Sequence, residues 1–250
     1  MNKFKLIRIN TLLLLILFVQ LVEAFEVDVE FSAEAMQVSP GQAPVYSKMY
    51  VSKKAVRSES YLHGKYVVDI TFPYQGRRIT LYPETKQYVD SVNFPVIQER
   101  KNKSSKTPCD EMPGAKCTKL GREIVNGIHV DKWQIERKIK DKTFKVLQWI
   151  DSQRNLSLRE MNPDGSVAEL KTLGKNNLYG RQVEIWEYVI SNASGNKQIS
   201  KQWYDPQLKM VIQEERHGGF FRGFKNIQIG KQDKKLFELP ASYQKVVSVK

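Results

Sequence analysis

The sequence predicts a mainly β protein: antiparallel strands in one sheet, with a few short helices. Three observations lead there. Segments of four to eight residues alternate apolar and polar side chains, Gly, Asn, Asp or Pro bounds each of them, and helical periodicity is scarce beyond the amino terminus. The composition suits a globular chain: of 250 residues, 41% are hydrophobic and 27% charged, with only 14 Gly and 10 Pro. Collagenous, coiled-coil and disulfide-dense scaffolds are excluded, and the single apolar run excludes a multi-pass membrane protein.

That run comes first. Lys3, Lys5 and Arg8 precede apolar residues 12–19, and Val22-Glu23-Ala24 offers small or apolar residues for a cut after Ala24, the order of a cleaved secretory signal over residues 1–24. A membrane anchor needs about 20 apolar residues, and Gln20 and Glu23 interrupt this run too early. The expected product, residues 25–250 as one domain, loses three basic residues and one acidic one, so its net charge falls from +13 to +11. An exported basic protein has little access to nucleic acid. Its excess charge suits an anionic membrane surface, or simply solvent.

Strands are expected at residues 66–72, 78–82, 143–150 and 182–190, within a total of about ten to twelve at ordinary strand lengths. Turns fall at Tyr74-Gln75-Gly76, Asn126-Gly127, Asn162-Pro163-Asp164-Gly165 and Ser194-Gly195-Asn196; Asn-Gly and Asp-Gly are the sharpest hairpin signals because both favour positive φ. A helix is expected at residues 32–37, with helical turns near 92–101 and 240–245. Residues 96–118 are polar and lysine-rich and read as a long loop inserted in the sheet.

Cys109 and Cys117, the only cysteines, close that loop. An oxidising compartment, an even count and the Met112-Pro113-Gly114 turn favour a disulfide over a metal or redox pair, which lacks C-x-x-C spacing and a neighbouring His. The bridge would fix Lys101, Lys103, Lys106, Lys116 and Lys119 as a basic rim. Asn102, Asn155 and Asn192 lie in N-x-S sequons, which matter only in a eukaryotic secretory pathway.

An internal repeat is the most informative feature. Gly121-Arg-Glu-Ile-Val-Asn-Gly-Ile-His-Val-Asp-Lys-Trp133 leads sixteen positions later to Gln148-Trp149-Ile150-Asp151. Gly180-Arg-Gln-Val-Glu-Ile-Trp186 leads seventeen positions later to Gln202-Trp203-Tyr204-Asp205. All four Trp residues occupy these paired places, and a fainter copy runs from Leu81 to Tyr88.

These residues, with the Pro108-Cys109…Cys117 loop, Leu120-Gly-Arg-Glu-Ile-Val-Asn-Gly127 and a closing Phe237-Glu-Leu-Pro240, resemble the LolA/LolB-like superfamily over residues 25–245. The resemblance implies a periplasmic location and a half-barrel sheet closed by a helical lid over an apolar cavity. It also implies a lipid, lipoprotein acyl chain or other hydrophobic molecule as ligand. The insertion and the weakly marked lid depart from the carriers of that superfamily.

Catalytic signatures are missing. His63, His129 and His217 stand in no metal-binding spacing, and P-loop, dinucleotide and G-x-S-x-G patterns are absent. No cofactor or metal is implied. Asp151 and Asp205, each two residues after a Trp, suit Asx turns better than acid–base roles. The tryptophans allow two readings, a filled core or a ligand cavity, and the candidate cavity residues are Trp133, Phe144, Trp149, Trp186 and Trp203. The expectation is therefore a non-catalytic carrier; the alternative is an envelope interaction or sensor module with a side-chain-filled core.

Overall fold

The computed structural model describes residues 29–92, 96, 107–112, 114–139, 142–154 and 156–247. The expected signal at 1–24 and the lysines Lys101, Lys103 and Lys106 lie outside these. The described residues are dominated by strands: β1 (Phe31–Val38), β2 (Val45–Val51), β3 (Val56–Leu62), β4 (Lys65–Phe72), β5 (Arg77–Tyr82), β6 (Gln87–Ser91), β7 (Ala115–Val125) and β8 (Ile128–Ile139). After them come β9 (Lys142–Asp151), β10 (Leu156–Met161), β11 (Val167–Leu178), β12 (Arg181–Ser191), β13 (Lys197–Asp205), β14 (Met210–Arg216), β15 (Phe220–Ile229) and β16 (Gln244–Lys245). The protein is mainly β, as its alternation predicts. Its only helices among the described residues are three 3-10 turns, at Pro73–Gln75, Pro108–Glu111 and Lys234–Phe237.

Two compact units divide the chain: residues 1–35, 46–99 and 226–250, then residues 36–45 and 100–225. In the first unit the strand order is β16-β6-β5-β4-β3-β2-β1. The hairpins from β2 to β6 are antiparallel, while β16 lies parallel to β6. Val68 faces Leu81 and Ile70 faces Ile79 across β4 and β5, and these four form the core of the unit. Each such side chain contributes about 1.5–3 kcal/mol when withdrawn from water. The closing Phe237-Glu-Leu-Pro240 motif explains itself here, because Phe237, Leu239 and Tyr243 pack against the same cluster.

The second unit is a meander, β15-β14-β13-β12-β11-β10-β9-β8-β7, every strand beside its chain neighbour. The sequence repeat is also a structural one. Trp133 stands opposite Gln148 across β8 and β9, and Trp186 stands opposite Gln202 across β12 and β13. Both Trp-x-Asp turns are Asx turns, as read from the sequence. Asp151 Oδ1 accepts from the backbone N–H of Gln153 (3.0 Å) and Arg154 (3.4 Å). Asp205 Oδ1 accepts from those of Gln207 (2.9 Å) and Leu208 (3.0 Å).

Several expectations need correction. Residues 32–37 belong to strand β1, not a helix; Phe31 and Ala33 are buried at strand spacing, and no cap or second helical turn supports the alternative. Residues 240–245 form no helical turn. The turn lies earlier, at Lys234–Phe237, capped by the Asp233 side chain accepting from the Lys235 N–H at 3.0 Å. The described residues hold sixteen strands against the expected ten to twelve, and one of them, β1, lies where a helix is expected. Two hairpins also turn without the Asn-Gly or Asp-Gly signal. His63-Gly64 and Tyr179-Gly180 both have paired positive φ values, 51° and 77°, then 51° and 80°, the same backbone as Asn126-Gly127 at 50° and 78°.

Candidate functional site

In the first unit the carboxyl-terminal residues after Lys234–Phe237 leave a groove of about 360 Å³ beside the sheet. Its apolar lining is Val68 and Leu81, together with Leu236, Pro240 and Tyr243 from the closing segment. The floor arises from strand alternation, since Val68 and Leu81 are opposed residues turned to one side of β4 and β5. The closing segment is held by backbone bonds from Gln244 N–H to Lys86 O (2.9 Å) and from Val246 N–H to Tyr88 O (2.8 Å).

One wall of the groove is polar and internally satisfied. Arg57 Nε donates to Glu59 Oε1 at 2.7 Å, and the Tyr66 hydroxyl donates to Glu59 Oε2 at 2.8 Å. Arg57 Nη1 also donates to the Leu236 carbonyl at 2.9 Å, tying this wall to the closing segment. Burial first, then the Glu59 carboxylate, pushes the Tyr66 phenol up to about 12, so it remains a donor at any ordinary pH. Both Glu59 oxygens are engaged. Asp233, Lys235 and Glu238 also line the groove, so its apolar residues lie beside charged ones. The volume falls in the range of small-molecule sites, roughly 300–1,000 Å³.

The second unit has a cleft of about 650 Å³ between the Asn126-Gly127 hairpin and the Asp151 turn, lined by Arg122, His129, Asp131 and Ser152 among others. Its acids are already paired. Asp131 binds Lys119 at 2.7 Å and Arg122 at 3.2 Å, and its carboxyl is held below the ordinary carboxylate range chiefly by the Lys119 hydrogen bond. Burial pushes the Asp151 carboxyl up, but hydrogen bonds from Arg154 and the Gln153 backbone together bring it lower. Asp90 in the first unit is lowered by its hydrogen bond from Arg77.

The sign of the resulting pH dependence follows. A carboxyl with a depressed folded pKa stabilises the native state fully above its unfolded value, near pH 4, and that stability is lost as pH falls through the folded value. Acid titration followed by far-ultraviolet circular dichroism should therefore show stability constant from pH 7 to about 5 and falling below about 4. Stability rising on acidification would contradict these pairings.

None of the five candidate cavity residues lines either cleft. Trp133, Trp149, Trp186 and Trp203 are buried, whereas Phe144 on β9 is 39% exposed. Trp149 and Trp186 belong to a core cluster with Val125, Val130, Leu158 and Leu170. Cations lie over the rings: Lys132 at 4.8 Å and Arg159 at 5.1 Å over Trp149, Lys119 at 5.7 Å over Trp133 and Lys201 at 5.0 Å over Trp203. Tyr204 stacks on Trp186 with centroids 4.2 Å apart. Such cation–ring contacts contribute about 0.5–1 kcal/mol at exposed sites and more when desolvated.

The histidines sit on separate hairpins: His63 in the β3–β4 turn, His129 on β8 and His217 in the β14–β15 turn, all exposed. Among the described residues no three His, Cys, Asp or Glu side chains are placed to hold a metal ion. Cys109 and Cys117 are joined, with Cα atoms 5.7 Å apart. Cys117 lies inside β7, so the polar loop becomes regular structure from Ala115 onward. What the sequence missed is the groove, whose walls come from residues far apart in the chain.

No family model matches the chain, and no curated protein matches it. Among solved structures it is similar to a DUF1329 family protein from Desulfovibrio piger, at 14% identity and TM-score 0.37 over 87% of this chain and 92% of that one. It is also similar to a LolA superfamily protein from Nitrosomonas europaea, at 11% identity and TM-score 0.39 over 88% and 96% of the two chains. A third is a domain from Vibrio parahaemolyticus described as outer membrane lipoprotein-sorting, at 11% identity and TM-score 0.35 over 88% and 94%.

Proposed function

We propose that this protein is an exported, non-catalytic carrier of the LolA-like kind, taking a lipid or lipoprotein acyl chain into the groove of the first unit. The observation that carries the reading is the groove's apolar surface, Val68 and Leu81 facing Leu236, Pro240 and Tyr243 of the closing segment, which also brings the charged Asp233, Lys235 and Glu238; Glu59 on the polar wall is already satisfied by Arg57 and Tyr66. An acyl chain crossing water needs such a surface, because each methylene withdrawn from water contributes about 0.8 kcal/mol. A cleaved signal at 1–24, a periplasmic address and a half-barrel domain over 25–250 belong to the same proposal. The closing segment around Leu236 and Pro240 takes the place that a helical lid has in the resemblance.

The envelope interaction or sensor module is the second reading, and the tryptophans favour it, since cations and Tyr204 close their ring faces. One titration separates the two. N-phenyl-1-naphthylamine, a neutral apolar dye, should brighten on adding the purified protein and be displaced by palmitate. Leu236→Glu should weaken dye binding about tenfold or more, because a carboxylate then has to be desolvated at the groove. Absence of dye uptake, or uptake unchanged by Leu236→Glu, would favour the interaction module.

A further inference from the structure

We infer that strand β7 is a docking edge for an extended acidic segment of another protein, which adds to the second unit as a further strand. The inference is independent of the groove. β7 runs eleven residues, Ala115–Val125, and stands last in the strand order. Among the described residues its strand partner is β8 alone, so its outer backbone N–H and C=O groups form an open template. Every residue from 118 to 124 is exposed. Two of these are large and apolar, Leu120 at 49% and Ile124 at 63% exposure.

Charge selects the occupant. β7 carries Lys116, Lys119 and Arg122 against the single acid Glu123. Glu123 is engaged by Lys132 at 2.8 Å and by the Trp149 N–H at 2.6 Å. Lys119 and Arg122 share one carboxylate, Asp131, so that group keeps a net positive charge, and Arg122 is 78% exposed. On β8 the neighbouring Arg137 and Lys138 are exposed and basic too. An approaching strand bearing Glu or Asp finds cations across the ladder, whereas a second copy of β7 finds its own. The bulge between Lys119 and Gly121, where Gly121 has φ +147°, further spoils pairing between two identical edges. Strand addition also suits the chemistry: the backbone supplies affinity, and exposed Leu120 and Ile124 offer apolar contacts to alternate side chains.

The test uses the purified full chain with its disulfide intact and three fluorescein-labelled octapeptides: alternating glutamate and valine, the same peptide N-methylated at alternate residues, and alternating lysine and valine. The glutamate peptide should bind, bind less tightly as salt is raised, and protect amides in residues 116–124 from hydrogen exchange. The lysine peptide should not bind. The N-methylated acidic peptide, which keeps the charge and loses the ladder donors, should bind at least about tenfold more weakly. Lys116→Glu combined with Arg122→Glu should reduce affinity for the glutamate peptide about tenfold. Equal binding of the methylated peptide, protection outside β7, no binding of the acidic peptide, or β7 protection arising from self-association would each overturn the inference. If the double variant fails to fold, the methylated and unmethylated peptides on the unaltered protein still decide it.

Discussion

Trp149→Ala is expected to destabilise the protein by about 3–5 kcal/mol, the usual cost of deleting a large buried aromatic. Trp149 is 3% exposed and belongs to the cluster containing Val130, Leu158 and Leu170. Its two cross-strand neighbours, Lys132 on β8 and Arg159 on β10, are the cations that lie over the ring, and its N–H donates to Glu123. Removing the ring therefore opens a cavity and leaves two cations without their aromatic face, while exposed Glu123 keeps Lys132 as partner. Phe144→Ala on the same strand, at a residue 39% exposed, should cost about 1 kcal/mol or less. Urea unfolding of the two variants measures the contrast, and equal midpoints would mean that the tryptophan does not hold the second unit together.

The second large effect is expected at Asp205, which is 1% exposed. One carboxylate oxygen closes the turn through the Gln207 and Leu208 N–H groups, and the other pairs with Arg181 Nε. Arg181 is itself only 15% exposed, so Asp205→Ala leaves a mostly buried cation without its carboxylate, with the Gln207 Oε1 contact at 3.0 Å remaining, and leaves two backbone donors unpaired. Breaking such a pair costs about 3–5 kcal/mol. Asp205→Asn retains an acceptor for the turn and should recover part of that loss. The equivalent Asp151→Ala should cost less, because its partner Arg154 is 35% exposed and stays hydrated when abandoned. Asp205→Ala matching Asp151→Ala would show that burial of the Arg181 pair is not what distinguishes the two repeats.

The repeat was legible because it couples a rare residue to a fixed register: Trp133 and Trp186 each oppose a Gln, and each Trp-x-Asp turn closes on its own backbone. Asn126-Gly127 was legible for a local reason, positive φ at residues that tolerate it. His63-Gly64 and Tyr179-Gly180 adopt the same turn with first residues outside the Asn-Gly and Asp-Gly signal, so these turns were not read although the strands at 66–72 and 182–190 that follow them were. Residues 32–37 contain too little pattern to separate a short helix from a strand, and tertiary pairing decides for β1. The disulfide followed from an even cysteine count and the expectation of export. The groove was not legible, since Arg57, Tyr66 and Leu81 meet Leu236 and Tyr243 only after the closing segment folds back. The motif around Phe237 marked the segment without showing what it covers.

Photo-crosslinking with a diazirine-bearing palmitate, followed by peptide mapping, tests the central claim most directly. Insertion into residues lining the first-unit groove, around Val68, Leu81, Leu236 and Tyr243, is the result predicted here. Label concentrated on the tryptophan strands, around Trp149 and Trp203, or scattered without a site, would contradict it.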